Sequence, residues 1–189
     1  MTNIGRQPAE WADHESVWIG FPSHPELWED DLEPARAEVV AFALAVAAEG
    51  AGERVRLVAA DEESAQRAQE VAGNGIDVVV EPFGDIWLRD TGPIIVKQGG
   101  ERGAARFGFN GWGGKYDLPH DDTVGHGLAT AAGFPVRTCD WILEGGAIDV
   151  DGTGLAVTTE QCLLNPNRNP GLSREDIEAR LRADLGLDR

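Results

Sequence analysis

The 189-residue sequence contains only two cysteines, Cys139 and Cys162, and they form no C-x-x-C pair. This scarcity excludes a disulfide scaffold and gives no sign of a metal site, so we expect two small buried residues. Long apolar runs are also lacking. The longest run, VVAFALAVAA at 39–48, is too short to span a bilayer, and the polar amino terminus does not resemble a signal peptide. We therefore expect a cytoplasmic protein without a membrane partner.

Basic residues are scarce: 16 Lys and Arg stand against 33 Asp and Glu, which gives a formal net charge of −17. The acidic residues are spread along the chain rather than gathered in a tail. Such a field repels nucleic acid and anionic membranes and favours small cationic molecules. Composition alone leaves open the simpler interpretation that the acidic surface serves solubility.

Hydrophobic patterning in the first half of the chain predicts alternating strands and helices. Strands are predicted at 16–22, 54–60 and 75–82, and helices at 33–50 and 62–73. Because strands with helical crossovers favour a parallel sheet, the pattern indicates an α/β fold.

The pattern changes in the second half. Two hairpins are predicted, one around QGGERG with strands at 93–98 and 104–110, and one around DGTG with strands at 146–151 and 155–160. The remaining predicted elements are a helix near 121–132, a strand near 135–141 and a helix at 173–185. Ser173 and Asp176 predict a capping box at the start of the last helix.

A ten-residue motif occurs twice, as WLRDTGPIIV at 87–96 and as WILEGGAIDV at 141–150. In this alignment Asp90 corresponds to Glu144. Each copy predicts an acidic residue, a hairpin and a helix, followed in the first copy by a strand. Repeated units of this kind pack against each other to bury a shared core.

We therefore predict a single domain at 1–189 that contains repeat units at about 87–140 and 141–189. If a rotation relates these units, Asp90 and Glu144 converge on one cavity. Two carboxylates in a partly dry site require a cation between them or a shared proton. A planar guanidinium suits this position because its N–H donors pair with carboxylate oxygens, and Trp87 offers a ring to stack on it.

The alternative interpretation of the first motif is local. In that case Asp90 caps a turn, Arg89 pairs with it, and Trp87 belongs to the core.

Five blocks together resemble the agmatine deiminase family, which is grouped with the bacterial-type peptidylarginine deiminases in the guanidine-modifying, or pentein, superfamily. The blocks are PAEWADHESVWIGFPSHPELW (8–28), DIWLRDTGP (85–93), FNGWGGKY (109–116), LEGGAIDVDG (143–152) and TTEQCLLNPNRNPGLS (158–173). The resemblance implies a β/α propeller of five ββαβ units around a pseudo-fivefold axis, of which this chain would form roughly half. It also implies hydrolysis of agmatine to N-carbamoylputrescine and ammonia, in putrescine biosynthesis, without a metal or organic cofactor.

Carried over residue by residue, the resemblance assigns Asp90 and Glu144 as the catalytic and substrate-binding carboxylates that hold the guanidinium nitrogens. Trp87 would line the pocket, and Asp85 and Arg89 would support these residues without a catalytic role. The NPNRNP segment at 165–170 is interpreted as a structural loop that enters the last helix, because asparagine and proline favour turns.

The nucleophilic cysteine and the acid–base histidine that the family implies lie further along its chain than this sequence extends. Cys162, in a predicted strand, and His126, inside the helix near 121–132, are poor substitutes. The other three histidines are expected at the surface or in packing. We therefore expect this chain to be inactive alone, with its missing half supplied by another chain, lost, or replaced through self-association.

Three functions from different classes remain open at this point. The chain is part of an agmatine deiminase-type enzyme, a non-catalytic module that binds guanidino or polyamine cations, or a fragment that needs a partner to fold. Peptidyl-arginine or free arginine is the alternative substrate. Free arginine requires a cation for its carboxylate, and the sequence offers only Arg89 and Arg168.

Overall fold

The structure, a computed structural model, describes residues 5–189. It divides into two compact units. Among the described residues, unit 1 contains 5–12, 89–117 and 122–189, and unit 2 contains 13–88 and 118–121. The single domain with repeat units at about 87–140 and 141–189 stays a prediction. No helix within residues 5–189 is long and apolar enough to cross a membrane.

Unit 2 contains a parallel sheet of three strands in the order β1-β2-β3, which confirms the α/β fold class. The strands are β1 (Val17–Gly20), β2 (Val55–Ala59) and β3 (Asp77–Val80). The helices are α1 (Pro25–Trp28), α2 (Leu32–Ala47) and α3 (Glu62–Ala72). Because α2 joins β1 to β2 and α3 joins β2 to β3, the helical crossovers make the parallel pairing possible.

The core of unit 2 follows from the spacing of apolar residues. In α2 the buried positions Arg36, Val40, Ala43 and Ala47 recur every three or four residues and so share one face. That face packs in one cluster with residues of β2 such as Leu57. Arg36 is tolerated there because its guanidinium lies 5.2 Å from the ring centre of Phe21.

Unit 1 contains the first copy of the repeated motif from Arg89 onward. Its elements are α4 (Leu88–Thr91, with Leu88 assigned to unit 2), β4 (Ile94–Gln98), β5 (Glu101–Gly108), α5 (Gly111–Gly114), α6 (Val124–Ala131) and β6 (Val136–Ile142). Strands β4 and β5 pair antiparallel, and β5 and β6 pair parallel. The predicted hairpin is confirmed, but β5 starts earlier than 104. Gly99 and Gly100, with φ of 57° and 93°, turn the chain within two residues.

The second copy of the motif lies entirely in unit 1. The elements from this copy to the end of the chain are β7 (Ile148–Val150), β8 (Ala156–Thr158), α7 (Glu160–Leu163) and α8 (Arg174–Leu185). The antiparallel β7–β8 hairpin and the Ser173–Asp176 capping box are confirmed. The strand predicted at Cys162 is wrong, because the Thr159 hydroxyl caps the short helix α7 by accepting the Cys162 N–H at 3.2 Å.

The core of unit 1 contains the tryptophan of the second motif but not that of the first. Trp141 is 4% exposed, contacts Phe107 edge-on at 5.2 Å, and donates its indole N–H to Asp184 Oδ2 at 2.8 Å. Trp87 is 54% exposed. The local interpretation that placed Trp87 in the core is therefore wrong, and the two aligned tryptophans have different environments.

Candidate functional site

The first predicted site residue, Asp90, lies in the one-turn helix α4 and contacts the second motif. Its Oδ1 accepts the backbone N–H of Gly146 at 3.1 Å. A Cβ atom at Gly146 would overlap that same oxygen, and a Cβ atom at Gly145 would overlap the carbonyl oxygen of Arg89. The two glycines that follow Glu144 therefore allow α4 to approach the second motif.

Burial dominates the electrostatics of Asp90. It raises the pKa of the Asp90 carboxyl above its usual range, and the negative charge of Glu144 raises it further. Hydrogen bonds from the Gly146 N–H and from the Trp112 side chain act in the opposite direction, as does the charge of Arg89. The structure therefore places Glu144 near enough to Asp90 for the two carboxylates to interact.

Glu144, the second predicted carboxylate, is only 3% exposed and precedes the short 3-10 turn Gly145–Ala147. Its Oε1 accepts the Nε–H of Arg168 at 2.7 Å, and both side chains of this ion pair are largely buried. Its Oε2 is buried and has no hydrogen-bond partner among the described residues. A buried carboxylate oxygen without a donor is unfavourable, so this atom is an acceptor that a ligand can satisfy.

Trp112 was not predicted as a site residue. It lies in α5, where all four residues have positive φ, and its own φ of 55° is unusual for a bulky side chain. Its ring contacts Phe109 at 4.9 Å and Tyr116 at 5.9 Å, both edge-on. This left-handed turn directs the indole N–H to Asp90. The signal in the sequence was an aromatic residue among three glycines, in Gly-Trp-Gly-Gly.

Arg168 was named only as a cation for a substrate carboxylate, and its partner is Glu144 instead. The NPNRNP segment forms the predicted loop before α8, but the interpretation of that loop as purely structural is incomplete, because it delivers Arg168 to the site. The signal was a lone arginine among turn-forming residues.

Trp87 and Asp85 belong to unit 2, where they bond to each other. Asp85 Oδ2 accepts the indole N–H of Trp87 at 2.7 Å, and its Oδ1 accepts the N–H of Ile86 at 2.7 Å. Buried Asp121, which sequence reasoning missed, accepts the N–H groups of Gly84 at 2.8 Å and of Asp85 at 3.2 Å. This chain of hydrogen bonds fixes an exposed indole ring, as a supporting role for Asp85 requires.

Arg89 lies beside Asp90 in the sequence, but its ion pair is with Glu10, at 2.7 Å. Both side chains of that pair are about half exposed. The local interpretation in which Arg89 pairs with Asp90 is therefore wrong. The charge of Arg89 nevertheless lowers the pKa of Asp90.

The two cysteines and His126 lie in three different environments. Cys139 lies in the core of unit 1, where burial and the charge of Asp184 raise the pKa of its thiol to about 12. Cys162 is half-buried in α7, and His126 is exposed on α6. Within residues 5–189, no group of three or more His, Cys, Asp or Glu side chains could hold a metal ion.

The described geometry defines an α/β protein in which two carboxylates of unit 1, Asp90 and Glu144, interact. The chain belongs to the Porphyromonas-type peptidyl-arginine deiminase family, whose model matches residues 6–189. It is 41% identical over 206 residues to an agmatine deiminase of Stutzerimonas stutzeri (strain A1501). That alignment covers 100% of this chain and 54% of the Stutzerimonas protein.

Solved structures give the same relationship. An agmatine deiminase of Enterococcus faecalis superposes with a TM-score of 0.89 at 31% identity, over 97% of this chain and 51% of that one. An agmatine deiminase of C. jejuni with substrate bound superposes with a TM-score of 0.81 at 27% identity, over 97% of this chain and 54% of that one. The chain thus spans about half the length of these three agmatine deiminases.

Proposed function

We propose that this chain forms the guanidinium-holding part of an agmatine deiminase-type hydrolase. Asp90 and Glu144, both in unit 1, hold the planar cation. The role of Trp87 in lining the pocket stays a prediction from the sequence resemblance. The observation that carries the proposal is Glu144 Oε2, a buried acceptor without a partner next to a second carboxylate. A guanidinium N–H would satisfy that oxygen, and the cation would offset the repulsion between the two carboxylates.

The proposed reaction is the hydrolysis of agmatine to N-carbamoylputrescine and ammonia, within putrescine biosynthesis. In this reaction a cysteine thiolate attacks the guanidinium carbon, ammonia leaves, and water releases the ureido product. Asp90 and Glu144 take no proton from the substrate. They keep it cationic and fix the plane of the carbon under attack, which is the contribution of orientation to the rate.

Agmatine is favoured over free arginine because both side chains that could bind a substrate carboxylate, Arg89 and Arg168, already have partners. Arg89 pairs with Glu10, and Arg168 pairs with Glu144, so each already has a carboxylate partner within this chain. The net charge of −17 also favours a substrate without a carboxylate. Peptidyl-arginine, which carries no free α-carboxylate, remains the second candidate because the matching family is named for that substrate.

The wider setting belongs to the same proposal. The chain forms roughly half of a β/α propeller with a pseudo-fivefold axis and is inactive alone, because neither of its cysteines is the nucleophile. A complementing carboxy-terminal half or self-association completes the site, without a metal or organic cofactor. The location is cytoplasmic, and neither nucleic acid nor membrane is a partner.

The test is calorimetric titration of the 189-residue chain with agmatine, using putrescine, which has an amine in place of the guanidinium, as the control ligand. We expect weak binding of agmatine, none of putrescine, and a loss of at least about tenfold in Asp90→Ala and in Glu144→Gln. Glu178→Gln is the matched control, because Glu178 is half exposed on α8 and pairs with Arg182. Unchanged affinity in both site variants would refute the proposal. Production of a ureido compound by this chain alone would show that the chain contains a nucleophile, which the proposal denies.

A further inference from the structure

The buried pair between Arg168 and Glu144 is unusual because it uses one carboxylate oxygen and leaves the other without a donor. A bidentate arginine would have occupied both oxygens. We infer that Arg168 is a positioning residue, which holds Glu144 in its buried place through Oε1 and reserves its Oε2 for the guanidinium of the substrate. The identity of that ligand rests on the proposed function, but the action of Arg168 on Glu144 does not.

The loop that carries Arg168 is held at three places. Asn165 Oδ1 accepts the N–H of Asn167 at 2.9 Å, and the Asn165 carbonyl accepts the N–H of Arg168 at 2.9 Å. Asn169 exchanges two hydrogen bonds with the backbone of Ile142, both at 3.0 Å. Ile142 lies two residues before Glu144, so the loop is anchored beside the carboxylate that it serves.

The α5 turn supplies the third anchor and also makes room for the arginine. Asn110, just before α5, donates its Nδ2–H to the carbonyl oxygen of Asn167 at 2.8 Å. A Cβ atom at Gly113 would overlap the Arg168 guanidinium and lie 2.8 Å from the Asn167 Cβ. The same turn presents Trp112 to Asp90. One element therefore contacts both carboxylates, directly at Asp90 and through Arg168 at Glu144.

The charges explain why the site needs this arginine. Glu144 interacts with the charges of Asp90 and Arg168. With Arg168 present, the two carboxylates and the arginine together carry one negative charge, which matches one guanidinium. Without it, two neighbouring carboxylates in a partly dry site would repel each other with no cation to offset the repulsion.

Two substitutions separate charge from packing. Arg168→Gln keeps a donor for Oε1 but removes the charge, whereas Arg168→Lys keeps the charge. We expect Arg168→Gln to be less stable than wild type and Arg168→Lys to recover part of the loss, because only lysine leaves a cation beside the buried carboxylate.

The measurement is urea unfolding, with Glu144→Gln as the second arm of a double-mutant cycle. In the Glu144→Gln background Arg168→Gln should destabilise the chain much less, because no buried carboxylate is left without its cation. Arg180→Gln, in the exposed pair with Asp140, is the control for loss of an arginine charge. An effect of Arg168→Gln that is equally large in both backgrounds would overturn the inference.

Agmatine titration gives the second readout. The affinity of Arg168→Gln should be at least about tenfold lower than that of wild type, and Arg168→Lys should recover part of that loss. The two proposals fail separately. If wild type binds no agmatine but the unfolding cycle shows the coupling between Arg168 and Glu144, the proposed ligand is wrong and the inference about Arg168 stands. If agmatine binds and Arg168→Gln binds it as tightly as wild type does, the inference falls and the proposed function stands.

Discussion

Gly146→Ala alters the site without replacing any of the predicted site residues. Gly146 lies outside the left-handed region of backbone conformation, so alanine is compatible with its φ. The new methyl group would overlap Asp90 Oδ1 and lie 3.3 Å from Asp90 Cγ. The short Asp90 side chain must therefore rotate away by about 1 Å, to an ordinary contact distance. The backbone need not move, so we expect the fold to persist.

The magnitude follows from what Asp90 loses. The Gly146 N–H hydrogen bond to a carboxylate contributes about 1.5–3 kcal/mol. Because Asp90 is half-buried, we take the lower end of that range, which corresponds to about tenfold in agmatine affinity. Misplacement of a binding group by about 1 Å brings the expected loss to between tenfold and a hundredfold.

The pH dependence has a definite sign. Burial already raises the pKa of Asp90 above its usual value, and the Gly146 N–H opposes that rise. In Gly146→Ala the pKa of Asp90 therefore rises further, because the carboxylate loses the donor that opposed the effect of burial. Since only the ionised form holds a cation, the loss of affinity should be larger at pH 5 than at pH 8. A carboxyl whose pKa is higher in the folded state than in the unfolded state makes the protein less stable as pH rises. Relative to wild type, the variant should therefore be slightly less stable at pH 8 than at pH 5.

The assay is calorimetric titration with agmatine at pH 5 and pH 8, accompanied by urea unfolding. Gly171→Ala is the matched control, because a Cβ atom there meets no atom within 4 Å and Gly171 has no positive φ. If Gly146→Ala binds agmatine as wild type does at both pH values, the Gly146 contact does not position Asp90, and the reasoning is refuted.

Two further predictions concern the core of unit 1. Asp184→Ala should destabilise the chain by about 2–4 kcal/mol in urea unfolding, because the buried Trp141 N–H loses its acceptor and Arg137 loses its carboxylate partner. Asp184→Asn, which keeps an oxygen for Trp141, should lose less, and equal losses would contradict this account. In the native chain at pH 8 a disulfide reagent should modify Cys162 readily and Cys139 only on unfolding, because the pKa of the Cys139 thiol is raised to about 12; equal rates would contradict that assignment.

The sequence allowed the α/β class, the parallel sheet of unit 2 and both hairpins to be predicted, because these depend on local periodicity and turn chemistry. Cys162 was misplaced in a strand because a side-chain cap at Thr159 starts a helix that apolar periodicity does not reveal. Trp87 and Trp141 align in sequence, yet only Trp141 is buried, because burial depends on contacts between distant segments.

In the candidate site, too, local sequence features could be predicted, whereas features that depend on the folded conformation could not. Asp90 and Glu144 could be proposed from the repeated motif, and the structure places them near each other. Their roles as ligands for a guanidinium stay a prediction. Trp112 and Arg168 were missed because each acts through a conformation that spacing does not encode: a left-handed turn for Trp112, and a loop held by three asparagines for Arg168.

The left-handed conformation of Trp112 sets local stability against recognition. Glycine would adopt a φ of 55° freely, whereas an L-residue with a large side chain is disfavoured there by about 1–2 kcal/mol. A variant chosen only for backbone fit would therefore carry glycine at position 112 and lose the indole beside Asp90. A screen for thermostable forms of this chain would therefore favour glycine at position 112, at the expense of the Trp112 side chain that bonds to Asp90.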